Sequence, residues 1–254
     1  MIGPKALLAR YFDAPAMLDT HLGRLGKLWI AFAVVVVCVR ALPLFPEVPV
    51  LHLLVLLAAL LLPVVVLETI LGHIRPDALL AQPERRLAPI GRWRAVDSIE
   101  GRRMDLFGVG GMLSLLVFGL LLNLPVRALE FATAMPFPTT GSPGWHWALY
   151  SLMLTDLAAL TSCYAALTAL AVRRVPLFPR LLLAAWLLDI GVQLLIGGTM
   201  STFFDAPPAV LKSLFALLKG NVEKVGISMM LWLPYLIFSR RVNLTYRLRV
   251  PVTK

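Results

Sequence analysis

Residues 50–72 read VLHLLVLLAALLLPVVVLETILG, with Glu68 as the single charge. Few environments accept such a stretch. A helix needs about 20 apolar residues to cross a hydrocarbon core of about 30 Å. Lipid offers a bare backbone no hydrogen bonds, so only helices and closed barrels span it. Five other segments have the same character: 27–45, 107–126, 145–172, 180–200 and a shorter one, 225–239. Composition agrees, with 59% hydrophobic and 15% charged residues; soluble domains carry about 45–50% and about 25%. The predicted fold is an all-α polytopic transmembrane bundle of six spans.

Lys and Arg set the orientation, because they concentrate on the cytoplasmic side of membrane proteins. Lys5, Arg10, Arg24 and Lys27 precede the first span. Arg75, Arg85, Arg86, Arg92, Arg94, Arg102 and Arg103 fill the second-to-third connection. Arg173, Arg174 and Arg180 lie in the fourth-to-fifth turn, and Arg240, Arg241, Arg247, Arg249 and Lys254 in the tail. These regions share one side in a six-span chain and hold 19 of the 24 basic residues. Both termini are thus expected in the cytoplasm, and a bacterial inner membrane is the default location. The net charge of +10 flanks apolar runs, which argues against nucleic acid as a partner. The first apolar run lacks a cleavage site and is taken as retained.

Two segments on the opposite side are more than turns. Residues 127–144, RALEFATAMPFPTTGSPG, read as an irregular loop, followed by Trp145, Trp147 and Tyr150 as an interfacial aromatic belt. Residues 205–220, DAPPAVLKSLFALLKG, read as a helix stopped by Gly220. Lys212, Ser213, Ala216 and Lys219 share one face, and Leu211, Leu214, Phe215, Leu217 and Leu218 share the other. That pattern suits a helix lying on the outer leaflet, with Lys212 and Lys219 toward lipid head groups, or one packed over the mouth of the bundle. The final segment spans only about 22 Å. Pro234 should kink it near Met230, Arg240 and Arg241 should anchor it, and Tyr246, Arg247 and Arg249 should run along the anionic leaflet.

Polar groups within apolar runs need a reason, since a central Asp costs about 2.5–3.5 kcal/mol on the insertion scale. Asp156 falls mid-span in the fourth segment and Asp189 mid-span in the fifth. Trp186, Asp189, Gln193 and Gly197 share a stripe, on which Gln193 can donate to Asp189 or pair across to another helix. Ala158, Ser162, Ala165 and Ala169 form a small-residue seam that permits close helix approach. With Asp156 roughly opposite that seam, the fourth helix should be central. Asp156, Asp189 and Gln193 are the candidate intramembrane site, either an ion-binding pair or hydrogen-bonded glue between helices. Glu68 and Arg40 lie nearer span ends, where snorkelling explains them. Cys38 and Cys163 fall inside apolar runs, so no disulfide or metal site is indicated. No H-E-x-x-H, G-x-S-x-G or Cys/His cluster is present, so neither catalytic residues nor a cofactor is expected.

From residue 107 the order of motifs resembles a bacterial membrane family, domain of unknown function 2569. The resemblance rests on GVGGMLSLLVFGLLLNLP from Gly108, PLFPRLLLAAWLLDI from Pro176, and WLPYLIFSRRVNLTY from Trp232. It implies a four-helix membrane domain over about 107–254, with both ends cytoplasmic; the chain departs from the family in a two-span hairpin with a basic loop over 1–106. It transfers no catalytic residue. The leading expectation is a non-enzymatic scaffold or accessory subunit whose partners are membrane lipids and either other membrane proteins or a second copy. A small proton- or cation-coupled transporter using Asp156 and Asp189 is the alternative. A lipid-modifying enzyme gripping phosphate with the Arg-rich loop is the least supported.

Overall fold

The computed structural model describes residues 14–42, 48–75, 81–83 and 91–252. Lys5, Arg10, Arg85, Arg86 and Lys254, and the far end of the first apolar segment, lie outside the described residues. In chain order the elements are α1 (Ala14–Ala41), α2 (Val50–His73), β1 (Trp93–Ala95), α3 (Ser98–Arg102), α4 (Met112–Ala134), α5 (Gly144–Val172), α6 (Phe178–Phe203), α7 (Pro208–Phe238), α8 (Arg240–Arg247) and β2 (Arg249–Pro251). Four helices, α2, α4, α5 and α6, are long and apolar enough to cross a membrane. A fifth crossing follows if α7 and α8, bent by 72° at Ser239, count as one span.

The central helix is α5, which packs against α2, α4 and α6. Its apolar window is 61% buried, against 28–39% in the other three candidate spans. Small and medium side chains such as Leu160, Ala165 and Ala169 are fully enclosed, as close helix approach in lipid requires.

Two boundaries differ from the sequence reading. Residues 127–134 are helical, not loop, because α4 runs through Pro125 to Ala134. Leu124, Ala128 and Phe131 keep its inner stripe buried at i, i+4 and i+7. Arg40 closes that extension. Its Nη1 donates to the Ala132 carbonyl at 2.7 Å and its Nη2 to that of Met135. The guanidinium also lies 5.0 Å from the Phe137 ring centre, so Arg40 staples α1 to the end of α4 and does not merely snorkel. The second difference is at Gly220, which does not stop a helix. Residues 208–238 form one helix lying along α6, not a separate amphipathic segment followed by a span. Leu214, Leu218 and Val225 carry one buried stripe past Gly220. A Cβ on Gly197 would sit 3.1 Å from Phe215 and 3.3 Å from Leu218, so that glycine lets α6 and α7 close up. The chain turns sharply at Ser239, beyond Pro234.

The basic end of the bundle is more ordered than a flanking loop and tail. β1 pairs antiparallel with β2, Arg94 opposite Val250. Tyr246, Arg247 and Arg249 are buried there and do not lie along a surface. The Tyr246 hydroxyl donates to the Ala171 carbonyl at 2.9 Å, and its ring packs on Phe178. Asn243 organises the arginines: its Oδ1 accepts from Arg247 Nη1 (3.1 Å) and Arg249 Nε (2.7 Å), while its Nδ2 donates to the Ile237 and Ser239 carbonyls. Arg247 Nη1 also donates to the Leu236 carbonyl at 2.8 Å, so the carbonyl end of α7 draws it inward. The GVGG turn is held by the same tail. Gly108, at φ +102°, donates its N–H to Thr245 Oγ1 at 3.0 Å and accepts from Arg241 Nη1. Arg240 stays exposed. The two end motifs of the chain's second part are therefore one contact.

Asn243→Ala leaves Arg247 and Arg249 short of an acceptor in a buried site. The variant should lose about 3 kcal/mol of stability, seen as a several-degree fall in the melting temperature of the detergent-solubilised protein, whereas Arg240→Ala should melt as wild type.

A candidate polar cleft between two helices

Asp156 lies about 18 Å along α5 from its start, and Asp189 about 16 Å along α6 from its own. The two helices run antiparallel, so both carboxylates reach the middle of the bundle. Gln193 sits one turn beyond Asp189 on the same buried stripe, with Trp186 one turn before it. The structure brings Asp156, Asp189 and Gln193 together, with Gln193 pairing across to another helix. Gln193 Nε2 donates to Asp156 Oδ1 at 2.9 Å across the helix interface, not to Asp189. Its Oε1 accepts from Asn221 Nδ2 of α7 at 3.1 Å.

The residue that joins the carboxylates is Arg127. Because α4 continues past Pro125, Arg127 is helical and faces inward between the two acids. Its Nη1 lies 3.4 Å from Asp156 Oδ2, and its Nη2 donates to Asp189 Oδ2. That same Asp189 oxygen accepts from the Tyr164 hydroxyl at 2.8 Å, and the guanidinium lies 5.7 Å from the Tyr164 ring centre. Asp156 and Asp189 are buried, Asp189 wholly, and the Arg127 side chain is mostly covered. Ion pairs and hydrogen bonds of this kind are what a desolvated charge requires. The compensation is nevertheless incomplete. Two carboxylates share one guanidinium, so the ionised cluster keeps a formal charge of −1, and Asp189 Oδ1 is buried without a hydrogen-bond partner.

The cluster floors a cleft between α4 and α7, which make little direct contact with each other. Glu130 of α4 and Lys224 of α7 form an ion pair across it. These two residues, with Arg127 and Asn221, line both of two adjoining chambers. One, of about 340 Å³, has Asp156 and Met153 at its floor and Ala216 and Gly220 in its wall. The other, of about 210 Å³, has Asp189, Tyr164 and Trp186 at its floor and Trp232 in its wall.

The remaining predicted contact residues lie elsewhere. Lys212 and Lys219 are exposed on α7, where Lys219 pairs with Glu223 at 3.7 Å. Trp145 and Trp147 are half-buried in the first turn of α5, Trp145 stacking on His146 and Trp147 tilted on His52. Arg240 and Arg241 belong to the basic end. Sequence reasoning missed Arg127, Glu130, Tyr164, Asn221 and Lys224. For Arg127 the signal was present in the i, i+4, i+7 spacing of Leu124, Ala128 and Phe131, which continues the helix through it. Among the described residues no group of three or more His, Cys, Asp or Glu side chains is placed to hold a metal ion.

No family model matches the chain, and no curated protein or solved structure is similar to it, so the resemblance to domain of unknown function 2569 gains no support.

Arg127→Gln should be the most damaging single change, because it strands two buried carboxylates; a loss of about 3–5 kcal/mol follows. Adding Asp156→Asn and Asp189→Asn to that variant should restore most of the lost thermal stability, measured by melting in detergent, since the three groups form one network.

Proposed function

We propose that the protein is a small proton- or cation-coupled membrane carrier, with both termini cytoplasmic in a bacterial inner membrane and α1 as an additional crossing. The observation that carries this reading is the charge deficit of the Arg127, Asp156 and Asp189 cluster at the floor of a mid-bundle cleft. Ionisable groups inside a membrane are costly and mark ion and proton paths. A single exchangeable positive charge satisfies this cluster. When it leaves, one carboxylate is uncovered next to a cleft, and the cost of that state favours rebinding. The Glu130 to Lys224 pair ties α4 to α7 at the boundary of the two chambers, where an alternating barrier would act.

The scaffold reading assigns the same groups to holding helices together. It accounts for the ion pairs and for the hydrogen bonds of Gln193 and Tyr164. It gives no reason for a shortage of one cation, or for chambers over the cluster. No bond-making chemistry is assigned to the site, and the protein is proposed not to be an enzyme.

Two measurements test the proposal. Vesicles loaded with a pH dye and given a potassium diffusion potential should acidify faster with wild-type protein than when empty. Asp156→Asn and Asp189→Asn should abolish the difference while inserting normally. Acidification no faster than in empty vesicles overturns the carrier reading, and loss of both variants from the membrane favours glue. For orientation, a phosphatase reporter active only outside the cytoplasm should be silent after Arg92 and active after Ser142; activity after Arg92 removes the inward placement of the basic end.

A further inference from the structure

The smaller chamber has a composition that selects among ligands. Asp189 lines it with one carboxylate oxygen unpartnered, and that residue has no exposed surface. The rings of Tyr164, Trp186 and Trp232 also line it, together with apolar Leu116, Leu120 and Val225. Both cations on its wall are committed: Arg127 to two carboxylates and Lys224 to Glu130. With Asp156 counted in, which shares Arg127 with Asp189 from the adjoining chamber, an anion entering would meet a formal excess of one negative charge. A neutral polyol would leave that excess in place and meet mostly apolar walls. A small metal cation needs several oxygen ligands at fixed distance, and among the described residues no group of three or more His, Cys, Asp or Glu side chains is placed to supply them. A positive charge spread over alkyl groups needs none. It is held by a carboxylate and by the faces of aromatic rings, the arrangement that recognises quaternary ammonium ions.

We propose that this chamber binds an organic ammonium cation, with Asp189 as counter-ion and Trp186, Tyr164 and Trp232 as its aromatic wall. The assignment rests on the carrier reading and deepens it: the ammonium and the coupling proton satisfy the same single negative charge, so they exclude one another. Either can occupy the site alone, so proton movement driven by a membrane potential needs no ammonium.

The test uses purified full-length protein in detergent and benzyltrimethylammonium as the probe, followed by calorimetry and tryptophan fluorescence. Wild-type protein should bind saturably at pH 8. Asp189→Asn should weaken binding tenfold or more, and Trp232→Leu at least threefold. Trp232 is only partly buried, so its variant tests the site even where Asp189→Asn fails to accumulate. Absence of saturable binding by wild type overturns the assignment, as does unchanged binding by Trp232→Leu, or tighter binding of benzenesulfonate than of the ammonium. Failure here and failure of the carrier reading remain distinct. Dye-loaded vesicles that acidify in the absence of ammonium binding keep the carrier and remove its ligand, and binding without acidification does the reverse.

Discussion

One guanidinium shared by two carboxylates fixes how the central helices can sit. Arg127 contributes from α4, Asp156 from α5 and Asp189 from α6, and each would be intolerable at that depth alone. The reach of the arginine sets the approach of α4 to the α5–α6 pair. Hydrogen bonding then propagates outward: Gln193 ties α6 back to α5, and Asn221 ties α7 to Gln193. Four helices are thus held in register by directional contacts in an interior where apolar packing gives little orientation, since lipid is as apolar as leucine.

The basic end achieves the same with a different chemistry. Asn243, Thr245 and Arg241 satisfy backbone carbonyls and a glycine-containing turn, and β2 adds a short antiparallel pair with β1. Two arginines are buried there, Arg247 and Arg249, and Asn243 Oδ1 accepts from both.

Much of this was legible in the chain. Apolar runs predicted the helices, and the two mid-span acids predicted a buried site, because such residues rarely occur without a partner. The partner itself was obscured by the basic residues' usual grouping. Of 24 Lys and Arg, five fall outside the four basic regions: Arg40, Arg127, Lys212, Lys219 and Lys224. Three of these make the staple, the cluster and the cleft-spanning pair. A positive charge that violates the flanking pattern is therefore informative, as an acid inside a span is. Residues 127–144 read as a loop from their Pro, Gly and Thr content, yet the helix runs through Pro125 to Ala134, since a bundle can absorb a proline by resatisfying the freed carbonyl. Gly220 misled in the same way. Local stop signals lost to a buried stripe, Leu214, Leu218 and Val225, that continued across them. Tyr246, Arg247 and Arg249 were illegible for another reason: their burial depends on Asn243 and on carbonyls of α5 and α7, and no periodicity in the tail reports distant acceptors.

The contact between Gly108 and Thr245 joins positions 137 residues apart. During synthesis the turn that begins α4 emerges long before the segment that holds it. α4, α5 and α6 must accordingly enter the bilayer and find one another with that turn unsecured. The polar cluster needs only residues before 194, so none of its contacts waits on the tail. The charged centre can therefore form without the tail, whereas the latch at the basic end needs the last helix in place before it can close.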